Sequence, residues 1–327
     1  MLSRLIPDKY LVAMICSVIL ASLFPMDRQS STFFEYIIVL VIALLFFLHG
    51  AKLEPKMVLA GMTHWRLHIF IFATTFIVFP LLGLALGIFS PAIIKPEIYA
   101  GIIFLCILPS TVQSSIAFTS IAGGNVPAAV CSATASNILG IFITPLLASL
   151  LLQHQGGGVS FDTVKAIMLQ ILLPFVLGQV ARPYLGSYLD RNKKVVGYVD
   201  RGSILLVIYA SFSDAVQSGL WQHTSLEDIL LICLVSCILL FIVFCFTIYG
   251  SRVLGFSRPD EITIAFCGSK KTLASGIPMA TVIFAGQNIG TIILPIMLFH
   301  QIQLMVCVFL ANSYSKKTQG ETSDGGY

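Results

Sequence analysis

Phe266-Cys267-Gly268-Ser269-Lys270-Lys271-Thr272-Leu273 sets two adjacent lysines in the middle of a long apolar stretch, with Pro259 before them and Gly276-Ile277-Pro278 just after. A lysine at the centre of a bilayer costs roughly 2.5–3.5 kcal/mol on insertion scales, so such residues face a polar cavity and mark a pathway. The rest of the chain makes a bilayer the relevant solvent. Of 327 residues, 57% are hydrophobic and 10% charged, which lies outside the range of soluble globular domains. At about 20 residues per helical crossing, the length accommodates about ten crossings and short loops, with no large soluble domain. The expected fold class is an all-α integral membrane protein of ten transmembrane helices.

Ten apolar stretches can be marked: 9–25, 35–50, 67–90, 97–122, 126–152, 163–181, 200–219, 228–250, 260–284 and 288–312. An even number puts both termini on one side. Fourteen of the 19 basic residues then share that side: Arg4 and Lys9; Lys52, Lys56 and Arg66; Arg182, Arg191, Lys193, Lys194 and Arg201; Arg252 and Arg258; Lys316 and Lys317. Arg28, Lys95 and Lys165 fall opposite. By the positive-inside rule both ends are cytoplasmic. The net charge of +4 is spread through short loops, which argues against a nucleic-acid partner. The eight cysteines all lie in apolar stretches without a Cys-x-x-Cys pair, and read as small buried hydrophobes. The first stretch has no small-residue cleavage site and is expected to be kept as a crossing.

The two halves echo each other. Ala122-Gly123-Gly124-Asn125-Val126 follows the fourth stretch, and Ala285-Gly286-Gln287-Asn288-Ile289 follows the ninth. An odd number of crossings separates them, so the second copy is inverted, an architecture of secondary transporters. The expected repeats are 1–153 and 154–314, with 315–327 a disordered cytoplasmic tail. The longest polar connection runs from Tyr184 to Arg201. The fourth and ninth stretches are also interrupted, at Leu108-Pro109-Ser110-Thr111-Val112-Gln113-Ser114-Ser115 and at the opening stretch. Irregular backbone at membrane depth is tolerated only where it is buried in protein or lines a cavity, and paired interruptions point to a substrate site.

At these residues the chain resembles the bile acid:sodium symporter family, in the bacterial branch akin to solute carrier family 10 member 7. The likeness covers nearly all of residues 5–312. It is carried by Leu45-Phe46-Phe47-Leu48-His49-Gly50, Leu108 to Ala117, Gly124-Asn125-Val126-Pro127-Ala128-Ala129, Leu177-Gly178-Gln179-Val180-Ala181-Arg182-Pro183 and Phe266 to Lys271. The resemblance implies two inverted five-helix repeats, a core domain with two crossed broken helices, a panel domain, alternating access and a bacterial inner-membrane location. In sodium-coupled members the ninth-helix motif reads glutamate, any residue, glycine, any residue, glutamine, asparagine. Here the glutamate position is Phe266, the glycine is Gly268, and the two amides become Lys270 and Lys271.

None of the acidic residues is placed in the interior of the fourth, fifth or ninth stretch. The candidate substrate- and ion-binding residues are therefore neutral oxygens and the two lysines: Ser110, Thr111, Gln113, Ser114, Ser115, Ser132, Ser136, Asn137, Ser269, Lys270, Lys271 and Thr272. Ser115, Ser132, Ser136 and Asn137 can hold Na⁺ weakly, but a nearby ammonium repels it. We expect a lysine ammonium to stand in for sodium beside half-helix C-termini, with a small organic anion as substrate. No cofactor is expected, Na⁺ being a coupling ion at most. A lysine that gives up its proton could instead couple transport to protons. The plainer alternative is that the lysines only pair with helix-end carbonyls or with a carboxylate such as Asp214. His49 and His300 read as packing residues, and Gly50, Gly83 and Gly87 as close helix contacts. Competing functions are a regulatory membrane protein and, remotely, an intramembrane hydrolase with Ser269 as nucleophile.

Overall fold

The computed structural model describes residues 9–26, 31–52, 64–152, 161–217, 219–285 and 289–324. Every regular element among them is helical: α1 (Lys9–Leu23), α2 (Ser31–Lys52), α3 (Trp65–Phe89), α4 (Pro96–Ile107), α5 (Gln113–Ile121), α6 (Val126–Leu152), α7 (Phe161–Arg191), α8 (Lys193–Gln217), the single turn α9 (Leu220–His223), α10 (Leu226–Val253), α11 (Arg258–Gly268), α12 (Gly276–Ile283) and α13 (Ile289–Asp324). Five helices, α3, α6, α8, α10 and α13 as far as Ser315, are long and apolar enough to cross a membrane. Their outward faces carry exposed Ile77, Leu146, Phe241 and Phe309, side chains suited to lipid. The chain is a multi-pass membrane protein. Arg4, Arg28 and Lys56 of the charge pattern, and residues 286–288 of the second Gly-x-Asn turn, lie outside the described residues.

One expectation about connections is corrected. Tyr184 to Arg201 is helical on both sides of a turn at Asn192, so the longest polar connection is helix surface. The backbone of α13 runs past Ser315 to Asp324. A long helix already nucleated adds one hydrogen bond per further residue, so polar composition alone does not end it.

The two interruptions are where expected, and proline chemistry explains the first. Pro96 opens α4 at a position whose N–H has no intrahelical partner, with Glu97 in the first turn complementing the helix dipole. Pro109 then removes the N–H that Leu105 would accept, and forces Leu108 into extended backbone (φ −68°, ψ 151°), the usual state before proline. In the ninth stretch Ser257 caps α11, accepting from the Asp260 N–H, and α11 ends at Gly268. Helix resumes as α12 at Gly276, two residues before Pro278, which sits in the first turn where its missing N–H does no harm. Pro145, Pro174, Pro183 and Pro295, by contrast, lie inside continuous helices.

The chain divides into two compact units that each take helices from both halves. One comprises Met1–Leu53, Phe161–Ser225 and Ile277–Ile293; the other comprises Glu54–Ser160, Leu226–Gly276 and Leu294–Tyr327. In the first unit α1 packs on α8, and α2 packs on α7 and α8. The α2–α7 crossing is backbone against backbone. A Cβ on Gly50 would lie 2.1 Å from the Phe175 carbonyl oxygen, and one on Gly178 would lie 2.1 Å from that of Phe47. Small residues allow this approach where burial against lipid gives no driving force and packing must supply it. The closeness lets α7 cap α2: Gln179 Nε2 donates to the Gly50 carbonyl, and Arg182 Nη1 donates to that of Ala51 at 2.8 Å.

In the second unit, Leu67 and Ile71 of α3 pack with Ala128 and Ala129 of α6 and with Ile264 and Cys267 of α11. The Gly124-Asn125 turn docks on α11: the Asn125 side chain donates to Asp260 Oδ1 at 2.9 Å and its N–H donates to Thr263 Oγ1 at 2.9 Å. Its Oδ1 accepts the Ala128 N–H and caps α6. All twelve candidate residues belong to this unit. Gly178→Val should abolish the α2–α7 approach, because the clash is with backbone that cannot rotate away. Detergent-extracted protein should then aggregate during gel filtration, whereas Gly197→Ala, at a position with open space around its Cβ, should elute as the parent does.

Candidate functional site

The site is built from the carbonyls that two helix breaks leave over. In α4 and the residues after it, every carbonyl from Leu105 to Ser110 meets a donor. Leu105 accepts from the Leu108 N–H at 3.3 Å. Ile107 accepts from Thr144 Oγ1 at 2.9 Å. Pro109 accepts from the Thr272 N–H at 2.9 Å, and Ser110 accepts from Asn137 Nδ2 at 2.6 Å. Cys106 and Leu108 are both served by one group, the ammonium of Lys271, at 2.7 Å each. A gap for the Pro109 ring is provided by Gly140, whose Cβ would come 2.6 Å from it.

Lys271 has a third acceptor, the Thr75 carbonyl at 2.8 Å. Thr75 lies in a π turn, Thr74–Val78, where the Phe79 N–H reaches the Thr74 carbonyl. The donor one residue further would be Pro80, which has none, so the Thr75 carbonyl is stranded inside α3. The lysine resolves it. All three ammonium donors are thus spent on backbone oxygen, and the Phe79 ring lies 4.2 Å from the nitrogen. Hydrogen bonds from a charged donor are worth about 1.5–3 kcal/mol each, which offsets much of the cost of burying the charge. The Lys271 backbone is held as well: its N–H donates to Gln303 Oε1 and its carbonyl accepts from Gln303 Nε2, both at 2.9 Å. Gln303 Nε2 also lies 2.8 Å from His300 Nδ1.

Lys270 points elsewhere. Its ammonium donates to the Ser114 carbonyl in the first turn of α5 at 2.8 Å, and lies 4.1 Å from the centroid of the Phe118 ring and 5.3 Å from that of Phe266. A desolvated cation over aromatic faces gains about 2 kcal/mol or more. Both lysines are buried, and among the described residues of this unit no carboxylate pairs with either. Lys271 is saturated with acceptors; Lys270 has one carbonyl and two rings.

The other candidates form the lattice around the breaks. Ser110 donates through Oγ to the Cys267 carbonyl at 2.6 Å, and its N–H reaches Ser136 Oγ at 3.0 Å. Ser115 donates to the Phe266 carbonyl at 3.2 Å. Thr111 Oγ1 lies 2.6 Å from Ser114 Oγ and 3.1 Å from Ser115 Oγ. Ser132 pairs with His68 Nδ1 at 2.6 Å. Ser275 donates to Asn137 Oδ1 at 3.4 Å, and the hydroxyls of Ser275 and Thr272 lie 3.5 Å apart. Ser269 Oγ donates back to the Ala265 carbonyl at 2.5 Å, a bond within its own helix end. Gln113 is exposed at the start of α5. Of the four residues weighed for Na⁺, Ser136 and Asn137 both bond the Ser110 backbone, Ser115 bonds the Phe266 carbonyl and Ser132 bonds His68.

Sequence reasoning passed over several members. Nothing in the sequence singles out Gln303, and His300 reads as a packing residue; both lie on the last helix, where no periodic signal separates them from packing residues. The π turn has a signal only in retrospect, Pro80 five residues after Thr75. Glu261, at the start of the ninth stretch, is buried in the first turn of α11. Arg252 Nε and Nη2 donate to it at 2.9 and 3.1 Å, Arg258 Nη1 at 2.5 Å and the Tyr314 hydroxyl at 3.0 Å. Asp214 lies in the last turn of α8 and is exposed. His49 bonds the Leu45 carbonyl of its own helix at 2.8 Å.

Two broken helices whose carbonyls are met from inside the protein lie in an all-helical membrane protein, and the chain belongs to the SBF-like CPA transporter family, whose model matches residues 8–316. It is 51% identical over 312 residues to the Putative symporter YfeH of Escherichia coli (strain K12), covering 95% of this chain and 94% of that one. It is 53% identical over 315 residues to the Uncharacterized protein PA2026 of Pseudomonas aeruginosa, covering 96% and 95%. It is 30% identical over 271 residues to Sodium/bile acid cotransporter 7 of Rattus norvegicus, covering 82% and 79%. The family is one of transporters, not of enzymes.

Gln303→Leu should leave the Lys271 N–H and carbonyl without partners, at about 1–3 kcal/mol for each buried group. Thermal unfolding of the purified protein in detergent should show a clearly lowered midpoint, and a smaller drop for His300→Ala, which removes only an acceptor of the glutamine.

Proposed function

We propose that the protein is a secondary transporter that carries a small organic anion across the bacterial inner membrane by alternating access, with Lys270 as the fixed positive charge of its binding site. The observation that carries this reading is the state of the Lys270 ammonium. It is buried, has a single carbonyl acceptor and two aromatic faces, and lacks a carboxylate partner among the described residues of its unit. An anion at the first turn of α5 would supply the missing counter-charge, with the N–H groups of that turn and the hydroxyls of Thr111 and Ser114 as further donors. The exposed Gln113 is the contact nearest the aqueous entrance. Ser110, Ser115, Ser136, Asn137, Ser269 and Thr272 hold the breaks open around that point.

The proposed frame is ten crossings in two inverted five-helix repeats, 1–153 and 154–314, with both termini cytoplasmic. Interrupted helices in corresponding positions of the two halves support it, as does the clustering of basic residues on one side. The names of the relatives, a symporter and a sodium/bile acid cotransporter, support a bile-acid-like or other organic anion as substrate. Coupling to sodium is the weaker inheritance. By the family resemblance, Lys270 stands where sodium-coupled members carry an amide and Phe266 where they carry a glutamate, while Ser136 and Asn137 are both engaged with Ser110, Ser115 with the Phe266 carbonyl and Ser132 with His68. We therefore read transport as independent of sodium, with a proton as the alternative coupling ion.

The test is uptake of a conjugated bile acid and of small carboxylates into proteoliposomes under separately imposed sodium and proton gradients. Lys270→Gln should weaken substrate affinity at least tenfold, about 1.4 kcal/mol, while a sodium gradient should not accelerate uptake by the parent. Uptake that requires sodium, is lost in Ser132→Ala or Asn137→Ala, and is untouched in Lys270→Gln would sink the proposal.

A further inference from the structure

Three backbone oxygens that meet one buried nitrogen at 2.7–2.8 Å are, chemically, a cation's coordination shell, and each has a reason to point there that does not involve the cation. The Thr75 carbonyl is stranded because the Phe79 N–H goes to Thr74 and Pro80 has no N–H. The Cys106 carbonyl is unserved because the Ser110 N–H, its helical donor, is bonded to Ser136 Oγ. The Leu108 carbonyl stands beyond the end of α4, on extended backbone enforced by Pro109. The shell is closed by the Phe79 ring, 4.2 Å from the nitrogen, and by the dipole of α4, whose C-terminal end is partially negative. Its occupant, the Lys271 ammonium, is 1% exposed.

We propose that the carbonyls of Thr75, Cys106 and Leu108 form a monovalent-cation site in which the Lys271 ammonium is a tethered resident ion, and that free potassium or ammonium takes the site when the tether is removed. Backbone carbonyl rings substitute for the hydration shell of potassium in channels, and the contact lengths here suit an ion of the size of potassium or ammonium. Small hard cations need shorter contacts, as with magnesium at about 2.0–2.1 Å. Carrying the ion on a side chain makes the joint between α3, α4 and the ninth-stretch break indifferent to the salt outside. This site is distinct from that of Lys270 and does not depend on what the protein transports.

The experiment is thermal unfolding of the purified full-length chain in detergent, in the chlorides of potassium, ammonium, sodium and choline at matched concentration. The parent should unfold at one temperature in all four. Lys271→Ala should unfold lower in choline and regain about 3–5 °C or more in potassium and ammonium, saturably with concentration and less in sodium. A Lys271→Ala midpoint that is equal in all four salts, or raised by sodium alone, overturns the proposal, as does a parent that shows the same salt dependence as the variant. Bacterial cytoplasm is rich in potassium, so the proposal also requires the variant to accumulate folded. If Lys271→Ala and Lys271→Gly both fail to accumulate where Lys270→Ala succeeds, the carbonyls do not accept a free ion. Because no uptake is measured, this outcome is separable from the fate of the transport reading.

Discussion

Lipid offers no hydrogen-bond donors, so each carbonyl that a broken helix releases must be met from inside the protein. That requirement organises the second compact unit. From Leu105 to Ser110, six consecutive carbonyls are met by five donor groups drawn from α6, from the ninth stretch and from the chain itself, the Lys271 ammonium serving two. The first break returns the service to the second, Ser110 and Ser115 donating to the carbonyls of Cys267 and Phe266, while Gln303 of α13 binds the Lys271 N–H and carbonyl. The breaks are mutually dependent, since each holds donors the other needs.

Adjacent lysines diverge in what they do because the chain between α11 and α12 is not helical. Lys271 turns toward α3 and α4 and is saturated with backbone oxygen. Lys270 turns toward α5, where a single carbonyl and two phenylalanine rings receive it. Phe266 contributes a π face to it. A ring stabilises an ammonium without cancelling its charge, and a carboxylate would cancel it. The charge of the Lys270 ammonium is therefore left uncancelled by the side chains around it. Charge neutralisation instead happens at the entrance to α11, where two arginines and a tyrosine share Glu261.

The first unit is held by another device. Gly50 and Gly178 bring the α2 and α7 backbones into direct contact, and the approach puts Gln179 and Arg182 within reach of the last carbonyls of α2. The motif from Leu177 to Pro183 thus encodes one joint, its glycine for proximity and its two polar residues for the cap that proximity allows. In both units polar side chains serve backbone first, as a membrane interior demands.

Local chemistry made much of this legible in advance. Hydropathy located the helical stretches, because length and apolarity are enough to demand helix in lipid. Pro109 and the Gly268–Pro278 region marked the breaks, because proline and glycine act on their own backbone. The lysine pair announced a polar interior, because the cost of burying an ammonium does not depend on fold. What tertiary structure decided was which partner each group found. Pro145, Pro174, Pro183 and Pro295 have the same local chemistry as Pro109, yet their helices continue. The polar tail beyond Ser315 extends a helix, and Lys270 and Lys271, alike in sequence, meet different acceptors. Gln303 and the stranded carbonyl of Thr75 left no trace in periodicity, since hydrogen bonds across 32 and 196 residues depend on where the chain returns and not on its neighbours.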